Sequence, residues 1–442
     1  MKILFSIGGI ILAAAIGASL TIVTAETTEL ASSARSADCA EVAGALPENC
    51  VIDISKMNPA GLLVDKYSYM AQPYSFYYFH HMDRLAFRTD WVRKGSDTYP
   101  LKEPTKRFSL RYAVRGANYS LDDYFQRNFV TGFLVLHDDH DQIVLEEYFH
   151  GADQNSRFVS QSVGKSIVSI LVGAAVSDGA IKSVDDPVVK YLPYLSNSGY
   201  RDVTIKNLLE MSSGVQYSED YTDPKSGAAL IGAALLTGDP TFQHFAASIG
   251  STATKPGTQF NYQSVNTQVL GLPLEQVTGK RLNQYAEEKL WKKIGAQSDA
   301  FFYRAQKQPD TCAFACFNAT VRDYSRIGLM MMRGGMLGNH RVLPPSWVHD
   351  STTPDSDYLQ PKRAVSSGAA PTRQGYAYQW WIPYGHEGAF NAEGIYGQSI
   401  YVNPTRRVVI VQTSAWPTPL GSPALDEENS LVHQRIAHEV AP

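Results

Sequence analysis

Residues 162–176 read SVGKSIVSILVGAAV, with Asp178-Gly179 just beyond. The run is apolar on nearly every side, which predicts a buried central helix closed by a glycine C-cap. At its head, Ser162 and Lys165 stand at i and i+3, so hydroxyl and ammonium share one helix face within reach of each other. Apolar surroundings strip water from the ammonium, lower its pKa and make the neutral amine available as a base. The Ser162 N–H has no intrahelical partner, and the helix dipole favours negative charge where it points. Alone, Ser-x-x-Lys is also compatible with a capping serine and a snorkelling lysine. Gly164-Lys165-Ser166 looks like the end of a phosphate-binding loop, but Val159 occupies the position of that loop's first glycine, which argues against nucleotide binding.

Upstream, TGFLVLH (131–137) and IVLEEYF (143–149) are two β-rich runs joined by Asp138-Asp139-His140-Asp141. They predict an antiparallel hairpin whose acidic turn is solvated; its spacing matches no metal motif. Downstream, Thr204 can cap a helix running through Met211, and further helices are expected over 267–277, 282–293 and 321–333. Residues 397–402 and 407–413 flank Asn403-Pro404-Thr405 as a second hairpin, followed by a helix from about Glu427. Strands at both ends with helices between predict an α+β fold. It is an antiparallel β-sheet flanked by helices, with an inserted all-helical lobe over about 185–335 in a body spanning 121–442.

Two later stretches carry chemistry. Pro256 to Asn266 (PGTQFNYQSVN) is a Pro-Gly turn leading into a helix. Tyr262 beside a lysine ammonium is expected to have a depressed pKa and to relay a proton between serine and leaving group. Ala392 to Gln398 (AEGIYGQ) has two glycines that let a strand approach a substrate, and the Ile395 N–H could be a second oxyanion donor. An edge-strand bulge would need those glycines equally.

Taken in order, these motifs resemble the serine β-lactamase and penicillin-binding-protein superfamily, on the branch of class C β-lactamases, esterases and 6-aminohexanoate-dimer hydrolases. The likeness to the last group is the closest. It rests on Ser162-Val163-Gly164-Lys165, Ser218 to Pro224 (SEDYTDP), Phe260 to Thr267 (FNYQSVNT) and Gly394 to Gln398 (GIYGQ), with Trp380-Trp381 and Thr413 to Pro417 in support. The resemblance implies a β-lactamase/transpeptidase-like fold and an acyl-enzyme formed on Ser162, without metal or cofactor. Lys165 would activate the serine, Tyr262 would relay the proton, and the amides of Ser162 and Ile395 would form the oxyanion hole. Tyr221, Tyr396 and Gly394 would bind the substrate, a small amide or ester, with Tyr221 over the leaving group. Two departures stand out. Ala392-Glu393 occupies positions where β-lactamases and peptidases carry Lys or His to hold a substrate carboxylate, and Tyr262-Gln263-Ser264 replaces their Tyr-x-Asn. Both favour the amidase and esterase branch. No Gly-x-Ser-x-Gly elbow supports a Ser-His-Asp hydrolase; a catalytically silent cell-envelope binding protein is the rival of another class.

Composition sets the remaining bounds. The 442 residues carry 39 Lys+Arg against 43 Asp+Glu, net −4, and 44% are hydrophobic. Such a chain buries a sizeable core and shows no basic excess for nucleic acid. Met1-Lys2, the apolar stretch from Ile3 to Val23 and Val23-Thr24-Ala25 predict a signal peptide over 1–25, or a membrane attachment through 3–24, and hence an exported protein. Residues 26–120 are then an extension, tether-like at first and aromatic-rich from Tyr67 to Trp91, that wraps the body. The four cysteines suggest two local disulfides, Cys39–Cys50 and Cys312–Cys316, among three connectivities.

Overall fold

A computed structural model describes residues 69–441 apart from 86, 105–107 and 364–371. The expected signal or anchor, the whole tether-like stretch and Cys39–Cys50 lie outside the described residues. The strands are β1 (Arg88–Val92), β2 (Arg111–Val114), β3 (Ala117–Ser120), β4 (Val130–His137), β5 (Gln142–Tyr148), β6 (Phe158–Val159), β7 (Ala300–Arg304) and β8 (Phe317–Ala319). After them come β9 (Met336–Leu337), β10 (His340–Arg341), β11 (Lys362–Arg363), β12 (Thr372–Arg373), β13 (Gly375–Tyr376), β14 (Trp381–Ile382), β15 (Phe390–Gly394), β16 (Gln398–Asn403) and β17 (Val408–Ser414). The helices are α1 (Tyr74–Tyr78), α2 (Leu121–Arg127), α3 (Val163–Ser177), α4 (Ile205–Leu209), α5 (Gly227–Thr237) and α6 (Phe242–Ser248). They continue with α7 (Ser264–Thr278), α8 (Leu282–Ala286), α9 (Val321–Met332), α10 (Pro345–Thr352) and α11 (Pro423–Val440).

The central sheet has seven strands in the order β13-β14-β15-β16-β17-β4-β5, with every neighbour antiparallel. Both faces are buried, which is why TGFLVLH is apolar throughout and not alternating. Phe133 and Val135 pack with Tyr124 and Phe125 of α2 and Val432 and Ile436 of α11. Leu134 and Leu136 point the other way, into the main core with α3 and α9. The acidic turn between β4 and β5 is not merely solvated. Asp138 and Asp141 each accept from Arg333, and Arg407 pairs with Asp138 and Asp139.

A second sheet, β1-β7-β8-β6, lies beneath the start of α3. The insertion expected to be all-helical over about 185–335 therefore contains two strands, β7 and β8, as well as helices α4 to α9. β6 leads directly to Ser162, so this sheet positions the head of the central helix. The extension is part of it: β1 pairs residue for residue with β7, and Val159 N–H donates to Phe79 O at 2.8 Å. Arg304 and Asp90 form a buried ion pair across that seam, 2.5 Å apart.

Several helix limits differ from expectation. α4 stops at Leu209, because Met211 adopts φ 55° and begins the turn to Gly214; the Thr204 cap is present, reciprocated by Asn207. α7 starts at Ser264, where Glu219 from a distant loop accepts its first N–H. The segment expected to be helical to Lys293 runs as α8 and then widens into a single π turn over Glu287–Trp291. α11 begins at Pro423 under a Ser422 cap. Among the described residues, no helix is long and apolar enough to cross a membrane.

Candidate active site

Ser162 stands at the N-cap of α3, after Gln161 in the left-handed region at φ 43°. That turn swings the chain from β6 into the helix. Lys165, 1% exposed, donates to Ser162 Oγ at 2.8 Å and to Phe314 O at 3.0 Å. Burial pulls its pKa down to about 8 against a small opposing pull from Glu219, in the expected direction. Phe314 lies in the short loop between Cys312 and Cys316, which the structure joins with Cα atoms 5.7 Å apart.

Tyr262 reaches the same serine, but in a state contrary to expectation. Burial drives its pKa up, the nearby Glu219 adds to this, and the hydrogen bond with Ser162 only partly offsets it. The lysine Nζ lies 5.1 Å from the centre of the Tyr262 ring, over its face and not paired with the hydroxyl, so the phenol stays protonated. The ring stacks on Trp381 at 5.3 Å. Its neighbours explain the Tyr-Gln-Ser sequence. Gln263, fully buried, fastens the loop to Val215 O and to Ser213, while Ser264 gives both its N–H and its hydroxyl to Glu219.

The third motif arrives along β15. A Cβ on Gly394 would sit 2.8 Å from Ser160 O and 2.9 Å from Ser162 N, so only glycine permits this strand so close to the nucleophile turn. Ile395 and Ser162 line one cavity of about 50 Å³, and the Ser162 N–H donates to no other described residue. Tyr221 lines it too, with its hydroxyl donating to Glu219 at 2.9 Å, so giving that proton to a substrate means exchanging partners. Tyr396 does not line it. At φ 64° the chain turns that side chain inward, 1% exposed, against Phe79.

Glu393 sits where a cation was absent by sequence. Its carboxylate accepts from Gln374 and Asn391, and burial, reinforced by Asp426, pushes its pKa up to about 7. Among the described residues no group of three or more His, Cys, Asp or Glu is placed to hold a metal ion.

The Beta-lactamase family model matches residues 126–434. The chain belongs to the beta-lactamase family. This family member is a serine hydrolase, and its relatives are consistent with that. A 6-aminohexanoate-dimer hydrolase of Paenarthrobacter ureafaciens is 30% identical over 310 residues, 68% of this chain and 76% of that protein. A solved structure from Bacillus anthracis, provisionally named a 6-aminohexanoate-dimer hydrolase, superposes with a TM-score of 0.73 at 24% identity, over 84% of this chain and 96% of that one. A family VIII carboxylesterase shares the fold, with a TM-score of 0.54 at 19% identity over 72% of this chain and 96% of its own.

Sequence reasoning missed three parts of this family member's site. Glu219 is visible only as one acidic residue in SEDYTDP, and its role comes from capping α7 across the fold. Gln161 is 2% exposed, lines the cavity and donates from its Nε2 to no described residue; its one sequence signal is that it precedes the serine. The apolar walls, from α5 and from Tyr69 and Met70 of the extension, carry no motif at all.

Proposed function

We propose that the protein hydrolyses the amide bond of small linear substrates through an acyl-enzyme on Ser162. The observation that carries this is the 2.8 Å contact between Lys165 Nζ and Ser162 Oγ in a buried setting that favours the neutral amine. In this reading Ser162 Oγ bonds to the substrate carbonyl carbon and its proton passes to Lys165. The oxyanion rests on the Ser162 and Ile395 N–H groups. Collapse breaks the carbon–nitrogen bond, and the amine leaves with the proton of the Tyr262 phenol. Water then attacks the acyl-enzyme and gives a proton to the Tyr262 phenolate, and Ser162 Oγ leaves with the proton held by Lys165.

An amine leaves only when protonated, and a phenol held neutral beside the serine has that proton to give. The curated relative that hydrolyses 6-aminohexanoate dimers supports a linear amide. Carboxylester cleavage is the second reading, supported by the apolar cavity walls. Glu393 in place of a cation disfavours substrates held by a carboxylate, β-lactams among them. Residues 1–25 support export as part of the proposal.

The test is intact mass after exposure to a fluorophosphonate, followed by turnover on a panel of linear amides, esters and β-lactams. A single adduct that disappears in Ser162→Ala, with turnover of amides, is the expected result. A folded protein that takes no label would instead be a binding protein that keeps the fold.

A further inference from the structure

We infer that the N-terminal extension completes the active site: Met70, with Tyr69 beside it, closes the acyl end of the Ser162 cavity and restricts the enzyme to short apolar acyl groups. This rests on the acyl-enzyme reading above.

One wall of the cavity is a single face of α5, made by Ala228, Ile231, Gly232 and Leu235 at i, i+3, i+4 and i+7. Tyr69 and Met70 line the same space from a segment more than fifty residues upstream of the family match. They are buried, 2% and 5% exposed. The chain around them is held in place. Tyr69 meets Phe87 edge-on at 6.1 Å, Gln72 Nε2 donates to Ala415 O, Phe79 O accepts from Val159, and Asp90 holds Arg304. A wall fixed at this many points does not yield to a longer chain.

The assignment to the acyl side follows from Tyr262. The leaving group must reach the Tyr262 hydroxyl beside Ser162, and the ring behind that hydroxyl stacks on Trp381, outside this cavity's lining. Tyr221 lines the cavity with its hydroxyl held by Glu219, so the leaving-group role that the resemblance implies for it is not part of this assignment. The acyl chain therefore takes the α5 side. Its chemistry follows from the lining, where the one carboxylate, Glu219, already accepts from Ser264 and Tyr221. An apolar chain meets Ile231, Leu235, Phe314 and Met70. Each methylene buried there should raise kcat/KM about fourfold (about 0.8 kcal/mol) until the chain meets Met70.

The experiment uses the full chain with p-nitrophenyl esters and p-nitroanilides of acids from acetyl to dodecanoyl, and a parallel series of acetate esters of lengthening alcohols. Wild type, Met70→Ala and Gly232→Val are compared, each with a melting curve and fluorophosphonate labelling. Met70→Ala should move the fall in kcat/KM to longer acyl chains and raise the long-to-short ratio at least tenfold. Gly232→Val, narrowing the opposite wall, should move it to shorter ones. Folded, labelled variants with an unmoved acyl profile, or a change confined to the alcohol series, overturn the inference while leaving the acyl-enzyme reading intact. Loss of labelling in the wild type overturns both. If Met70→Ala does not fold, Met70→Val, a smaller truncation of the same side chain, takes its place with the same expected direction and the same overturning result.

Discussion

Lys165 contributes a base only when it has lost its proton. With its pKa drawn down to about 8, kcat/KM should rise with pH through that value and then level off, as a pH–rate profile on one amide will show. Lys165→Arg stays charged and should lose roughly 10²- to 10⁴-fold. Tyr262→Phe should lower kcat by a similar factor and leave KM nearly unchanged, because the phenol acts on the proton and not on binding; single-turnover rates check this. Glu393 titrates in the opposite sense. Its folded pKa of about 7 exceeds its ordinary 4.5, so its stabilising contribution is present below about 4.5 and is lost as pH rises through 7. The buried Gln374 Oε1 and Asn391 Oδ1, which accept from no other described residue, are ready acceptors for its proton. Glu393→Gln should therefore flatten the fall in Tm between pH 5 and 8 and raise Tm at pH 8 by roughly 2 °C or more, measured by calorimetry. At this scale Ser162 and Lys165 were legible, because three residues along a helix is a fixed distance. The charge state of Tyr262 and the inward turn of Tyr396 were not, since burial and a single positive φ are set by residues far away in the chain.

Elements were legible where a local pattern agreed with its packing. The Ser-x-x-Lys helix, the 131–149 hairpin, the 397–413 hairpin and α9 all form within a residue or two of expectation. α5 was missed because GAALIGAALLT is apolar all round and announces no face; its Ser226 cap and left-handed Gly238 are the signals that could have placed it. Limits went astray where a distant group sets them, as Glu219 does for α7. Close approach is the other property that pattern hides. A Cβ on Gly328 of α9 would lie 2.6 Å from Val409 Cγ1 and 3.1 Å from Ile400 Cγ2, so helix and sheet meet backbone to side chain. Gly328→Ala should therefore destabilise by about 1–3 kcal/mol despite alanine's better helix propensity, and denaturant unfolding will measure it.

At the level of the whole molecule, the α+β class was readable from strands at both ends of the body. The role of the extension was not, because aromatic density alone reads as ordinary core. Its strongest tie is Asp90 to Arg304, which is 2% exposed. Asp90→Ala would leave that guanidinium buried without its partner and should cost about 3–5 kcal/mol, seen as a lowered Tm and as protease cleavage near residues 69–92. The pairing of β4 with β17 has a consequence for synthesis. It joins Leu134 to Val411, so the middle of the sheet cannot close until β17 has been made. A ribosome will have released the nucleophile helix long before its opposite wall exists. Shortened products that lack β17 should accordingly aggregate and not accumulate as partly active enzyme, and a nascent chain needs shelter until β17 emerges.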